Sequence, residues 1–98
     1  MNIFEIPDKT GRKIRLTKKQ WSHITSPSSP HAYMKNYLKE IEQTLGKPDK
    51  ILNSIYDERK ASYYTYYKKK NNYLRVLVKY LNGEGFIITA YFIKNIRK

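Results

Sequence analysis

The chain has no cysteine, two histidines, one tryptophan and four glycines in 98 residues. Without cysteine there is neither a disulfide framework nor a thiolate metal site. Two histidines fall short of the ligand set a metal centre usually takes, and no HExxH pattern occurs. A GxSxG elbow, a phosphate-binding loop and a dinucleotide fingerprint are also missing, so serine-hydrolase, nucleotide-hydrolysing and dehydrogenase chemistry have no sequence support. No apolar run approaches the ~20 residues of a membrane span. The start, MNIFEIPDKTGRK, lacks the basic-then-apolar layout of a secretory signal. The expectation is one domain over 1–98, cytoplasmic, with no cofactor, no metal and no membrane partner.

Acidic residues are scarce too. Eight Asp+Glu stand against twenty Lys+Arg, for a net charge of +12. Such a field favours polyanions, meaning nucleic acid, an anionic surface or an acidic protein. Ten tyrosines add faces on which bases can stack. The same lysines would also keep a small domain soluble, and the same tyrosines suit strands.

IFEI and KIRLT flank PDKTGR, whose Asp-Lys-Thr-Gly predicts a turn and hence a short hairpin. Thr17 is a candidate N-cap for TKKQWSHI, with Trp21 and Ile24 facing inward. SPSSP cannot continue a helix. Met34, Leu38, Ile41 and Leu45 then mark one face of a second helix over 32–45, closed by Gly46. Strand-like segments follow: KILNSIY, SYYTYY, YLRVLVKY and FIITAYFI, with DERK as a turn, KKKNN as a basic connection and NIRK as a basic tail. The predicted fold is α+β, with an N-terminal hairpin and two helices packed on a four-stranded antiparallel sheet.

The last hairpin carries polar residues inside apolar runs. A two-residue Asn82-Gly83 turn would pair Lys79 with Phe86 and mix the faces. A connection closed by Gly85 pairs Val78 with Ile88 and Lys79 with Ile87, and sets Arg75 opposite Tyr91 and Leu77 opposite Thr89. The second register keeps one face apolar for the helices and is the one predicted. Its other face gathers Arg75, Lys79, Thr89 and Tyr91, a cationic patch with two hydroxyls, which fits a phosphate and equally fits an ordinary solvated face.

Cleavage of RNA needs no metal, because the 2′-hydroxyl is the nucleophile. It needs a base, an acid and donors for the phosphate charge. His23 and His31 suit proton transfer, Lys79 and Arg75 suit the phosphate, and Thr89 and Tyr91 can donate to its oxygens. Among Tyr63, Tyr64, Tyr66 and Tyr67, alternate members face opposite ways, so at most two can stack on a base. Tyr64 and Tyr66 are the candidates, against ordinary cross-strand packing. Lys68, Lys69 and Lys70 would touch backbone phosphate without reading sequence.

From about Lys13 to Ile96 the chain resembles the small phage and bacterial nuclease-like proteins grouped with barnase, EndoU, the RNA-cleaving colicins and RelE (the BECR fold). Trp21, His23 and Ile24 match a Trp-x-His-Ile segment. His31 alone matches an Arg-His-Pro-Glu segment, since Pro30 replaces the arginine and Ala32-Tyr33 replaces Pro-Glu. Val76 to Lys79 correspond to a Val-Val-Val-Lys strand, and Phe86, Thr89, Ala90 and Tyr91 to a Phe-x-x-Thr-Ala-Tyr strand. The resemblance implies two helices on a twisted antiparallel sheet whose exposed face cleaves RNA, with His23 as acid or base and His31 as its partner.

The resulting expectation is a metal-independent endoribonuclease, a toxin acting on tRNA or ribosome-bound mRNA. It would leave a 2′,3′-cyclic phosphate and have an acidic antitoxin or immunity protein as partner. Its rivals are a non-catalytic RNA- or ribosome-binding module, and an adaptor that docks an acidic protein.

Overall fold

Asp8 organises the first turn. Its Oδ1 accepts from the backbone N–H of Thr10 and of Arg12, each at 2.9 Å, and from the Thr10 hydroxyl at 2.7 Å. Gly11 takes φ +89° there, a conformation that suits glycine. The computed structural model, which describes residues 1–96, accordingly sets β1 (Asn2–Pro7) antiparallel to β2 (Lys13–Thr17). Thr17 then caps α1 (Lys18–Thr25), its hydroxyl accepting from the Gln20 N–H at 3.0 Å.

The second helix arrives in two pieces. A 3₁₀ turn covers Ala32–Asn36, the chain breaks at Tyr37, and α2 runs over Leu38–Gly46. The break lets the Tyr37 ring meet Phe92 and Tyr67 edge-on, with centroids 5.0 and 6.0 Å away. Met34, Ile41 and Leu45 still bury fully. Gly46 is the last helical residue and Lys47 the cap, one position later than predicted.

Four strands follow: β3 (Lys50–Asn53), β4 (Lys60–Tyr67), β5 (Asn72–Tyr80) and β6 (Glu84–Ile93). β3 stops three residues short of the predicted KILNSIY, because Ser54 begins a loop. The KKK connection is a 3₁₀ turn over Lys68–Lys70, ended by Asn71 in the left-handed region at φ 54°. Of the basic tail expected over 95–98, the final two residues lie outside the described residues.

The predicted four-stranded antiparallel sheet is corrected by the structure. There is one six-stranded mixed sheet in the order β1-β2-β6-β5-β4-β3. The N-terminal hairpin is part of it, because β2 pairs parallel with β6 over Lys13–Arg15 and Glu84–Phe86. The physical reason lies in β6, a long strand that β5 covers on one edge only, leaving a row of backbone donors and acceptors in need of partners. Arg15 reinforces the join through Nη1 to Glu84 Oε1 at 2.7 Å.

One face of this sheet carries the core. Ile14 and Leu16, Ala61 and Tyr63, Leu74, Val76 and Val78, and Ile87 and Ala90 meet Ile24, Met34, Ile41 and Leu45 from the helical layer. Tyr63 is fully buried, and its hydroxyl donates to Asp8 Oδ2 and lies 2.7 Å from that of Tyr80. Burial pushes its phenol well above the usual tyrosine range. Tyr63 is therefore a structural residue.

The last hairpin uses both registers considered above. Near its turn Lys79 pairs with Phe86 and Val78 with Ile87, so the predicted Val78–Ile88 and Lys79–Ile87 pairs do not form. A bulge then inserts Ile88, after which Leu77 pairs with Thr89 and Arg75 with Tyr91. The Ile88 carbonyl accepts from the Gln20 side-chain amide on α1. Gly85 makes the tight end possible, since a Cβ there would lie 2.7 Å from the Lys79 carbonyl oxygen. Gly85→Ala should therefore lower stability by about 1–3 kcal/mol in urea unfolding, the usual cost of overpacking. An unchanged midpoint would show that the turn shifts freely.

Candidate nucleic-acid interface on the open sheet face

Strand alternation places Ser62, Tyr64 and Tyr66 of β4, Arg75, Leu77 and Lys79 of β5, and Thr89 and Tyr91 of β6 on the face away from the helices. Arg75 is its centre. Cross-strand pairing puts Tyr64 on one side of it and Tyr91 on the other. Arg75 Nε donates to Ser62 Oγ at 2.9 Å and Nη1 donates to the Tyr91 hydroxyl. The guanidinium thus sits in a fixed orientation with further donors unused. Among the described residues it has no carboxylate partner, because the two ion pairs are Arg15–Glu84 and Lys79–Asp57. Two depressions of ≈ 500 and ≈ 580 Å³ flank it, and Arg75 and Tyr64 line both.

His31 reaches this cluster by way of an uncovered edge. β2 pairs with β6 only as far as Phe86, so the later part of β6 is open on that side. The 26–37 segment lies against it, and the Tyr33 hydroxyl accepts from the Phe92 N–H at 3.1 Å. The His31 ring consequently stacks on Tyr91, with centroids 4.5 Å apart and planes at 23°. Partial burial lowers the imidazole below its ordinary pKa of 6.5, which favours the neutral ring.

His23 is placed differently. It is exposed on α1, whose Ile24 packs into the core on the other side of the sheet. Among the described residues its side chain makes no hydrogen bond, and it lines neither depression. His31 lines neither depression either, but it is His31, not His23, that stacks on Tyr91, the hydrogen-bond partner of Arg75.

The remaining sequence candidates divide in the same way. Lys79 is on the face, but its Nζ is bound to Asp57 Oδ2 at 2.6 Å. That hydrogen bond holds the Asp57 carboxyl below the usual carboxylate range. Thr89 shares the face and makes no side-chain hydrogen bond to Arg75 or Tyr91. Tyr64 is buried between the depressions, at 4% exposure. Tyr66 is exposed, donates to Asn71 Oδ1 and meets the Tyr73 ring edge-on at 5.3 Å, away from Arg75. Lys68 and Lys69 are exposed at the hairpin tip. Lys70 turns to the helical side, its Nζ 5.3 Å from the Phe92 ring centroid and 5.4 Å from that of Tyr37.

Three contributors escaped the sequence reading: Ser62, Asp57 and the exposed pair Ile55–Tyr56. DERK reads as a turn, and nothing local says that its aspartate will reach across to β5.

No protein-family model matches the chain, and neither the curated proteins nor the solved structures provide a match. The case for a function rests on this face.

The Lys79–Asp57 pair anchors the 54–59 loop to the sheet. A lowered carboxyl is ionised more readily in the fold than in the unfolded chain. The anchor is therefore complete above the ordinary carboxyl pKa of 3.8 and is lost as pH falls through the lowered value. Lys79→Met at neutral pH should speed amide hydrogen exchange at Tyr56, Asp57 and Arg59 by a few fold, the scale of a solvent-exposed pair. Exchange in β5 should stay protected. No change at the loop amides would show that Ser54 alone holds it.

Proposed function

We propose that the open face binds single-stranded RNA and that the His31–Tyr91–Arg75 cluster cleaves it by attack of the 2′-hydroxyl. The observation that carries this reading is Arg75 itself, a guanidinium fixed by two hydroxyls, without a carboxylate partner among the described residues and adjacent to a tyrosine on which a histidine stacks.

In this reading the phosphodiester lies on the unused donors of Arg75, which match its oxygens in geometry and charge. Neutral His31 accepts the 2′-hydroxyl proton. The 2′-oxygen forms a bond to phosphorus, the bond from phosphorus to the 5′-oxygen breaks, and the Tyr91 hydroxyl gives the leaving oxygen its proton. Arg75, already bonded to that hydroxyl, compensates the phenolate charge until His31 returns the proton. The products are a 2′,3′-cyclic phosphate and a 5′-hydroxyl. Lysines around the face, among them Lys50, Lys60 and Lys94, add affinity for backbone phosphate without sequence preference.

A second reading is favoured by one pair of facts: Lys79 is neutralised by Asp57, and His23 stands apart. On that reading the face binds RNA and does not cut it.

Incubation with a synthetic RNA and total tRNA in EDTA separates the two. Cleavage with cyclic-phosphate ends should fall by about 10²–10⁴-fold in His31→Ala, the usual worth of a positioned proton acceptor. It should fall comparably in Arg75→Ala and persist in His23→Ala. The rate should also decline as pH drops through the lowered His31 value, below 6.5, because the acceptor must be neutral. RNA bound but left intact in this assay, and again when presented on ribosomes, would establish the binding module. Absence of RNA affinity would overturn both readings and favour an acidic protein as the partner.

A further inference from the structure

We propose that the depression between the 54–59 loop and strands β4 and β5 is a nucleobase subsite, holding one unstacked base of a single strand whose phosphate rests on Arg75. The proposal rests on the reading of the open face as an RNA site and names what lies next to the phosphate.

The first support is the lining. Leu52 and Leu77 contribute apolar surface, Ser62 and Lys60 contribute donors, and Tyr56 and Tyr64 contribute aromatic rings in a depression of ≈ 580 Å³. Arg75 closes one side, and no carboxylate is among the described lining residues. An apolar floor with a few donors and an aromatic wall is the chemistry of a base, flat and apolar on its faces and polar at its edge. Ser62 Oγ accepts from Arg75 at 2.9 Å and keeps its own proton to donate.

The second support is the way two of the lining residues, Ile55 and Tyr56, are presented. Ile55 and Tyr56 are 81% and 93% exposed, which is unusual for large side chains adjoining a depression. A loose loop would explain that, but the loop is not loose. Ser54 N–H donates to the Lys60 carbonyl and Lys60 N–H to that of Asp57, each at 2.9 Å. Ser54 Oγ accepts from the Tyr56 and Asp57 amides at 3.1 and 3.3 Å. Asp57 Oδ1 accepts from the Arg59 N–H at 2.9 Å, and Oδ2 holds Lys79. Six polar contacts fix the backbone that presents Tyr56 to solvent, so its exposure is built in.

The position relative to Arg75 selects a single strand over a duplex. In a duplex the bases are paired and stacked inside, and the phosphates alone would reach the sheet. In a single strand a phosphate on Arg75 leaves its neighbouring base free to turn toward Tyr56. Lys79 is, on this account, a positioning residue that holds the loop through Asp57.

The test uses the full chain and a single-stranded RNA carrying 2-aminopurine, with a duplex of the same sequence alongside. Wild type should bind the single strand more tightly than the duplex and change the 2-aminopurine emission. Tyr56→Ala should weaken single-strand binding about tenfold, the worth of one base stacked on an aromatic ring. It should also remove the emission change and leave duplex affinity unaltered. Tyr56→Phe should restore both. Because Tyr56 is almost wholly exposed, its replacement leaves the core untouched. Equal affinity and an undiminished emission change in Tyr56→Ala would overturn the subsite while the open-face reading stands. A wild type that binds neither strand form would overturn the open-face reading, and the subsite with it.

Discussion

The meeting of Arg75 and Tyr91 on the open face depends on one extra residue in β6. The turn at Asn82-Gly83 brings Lys79 against Phe86, and an unbroken ladder from there would set Arg75 opposite Ala90. That would direct Tyr91 to the core side and Ala90 to solvent. The bulge at Ile88 shifts the register by one, so that Ile87 and Ala90 both bury and Tyr91 stands across from Arg75. A bulge frees backbone groups from the ladder, and Gln20 of α1 takes up the carbonyl of the inserted residue. The helical layer thus stabilises an irregularity whose effect appears on the opposite side of the sheet.

What was legible in the sequence was local. Thr17 as a cap, the inward face of Met34, Ile41 and Leu45, and the pairing of Arg75 with Tyr91 all follow from spacing and side-chain type. What escaped was non-local. The parallel pairing of β2 with β6 joins residues about seventy positions apart, and no short pattern encodes which strand edge is left open. The bulge escaped because an uninterrupted period of two was assumed for β6. The site candidates divided along the same line. Arg75 and Tyr91 came from the register, whereas the company of His31 and the pairing of Lys79 with Asp57 depend on loops whose path the sequence does not display.

The two histidines illustrate the difference between inventory and placement. Both are suited to proton transfer by type. The helical histidine is kept on the far side by the packing of Ile24 beside it, while the loop histidine is carried around an exposed strand edge to a tyrosine ring. The Tyr33 contact to the Phe92 amide satisfies one of the donors that β2 leaves uncovered. Covering an edge and delivering a histidine are here the work of one segment.

The parallel pairing of β2 with β6 has a consequence for the order of events during synthesis. β6 follows every other strand in the chain, yet it lies between β2 and β5 in the sheet and carries Tyr91. Until it emerges, the N-terminal hairpin has no sheet to join, and the edge on which the His31 segment lies does not exist. Local elements such as α2 and the β4–β5 hairpin can form early, whereas closing long-range pairs is the slow part of folding. A nascent chain that lacks β6 therefore holds the arginine without the tyrosine, and its histidine has no strand edge to lie on, so the complete cluster is a property of the finished sheet alone.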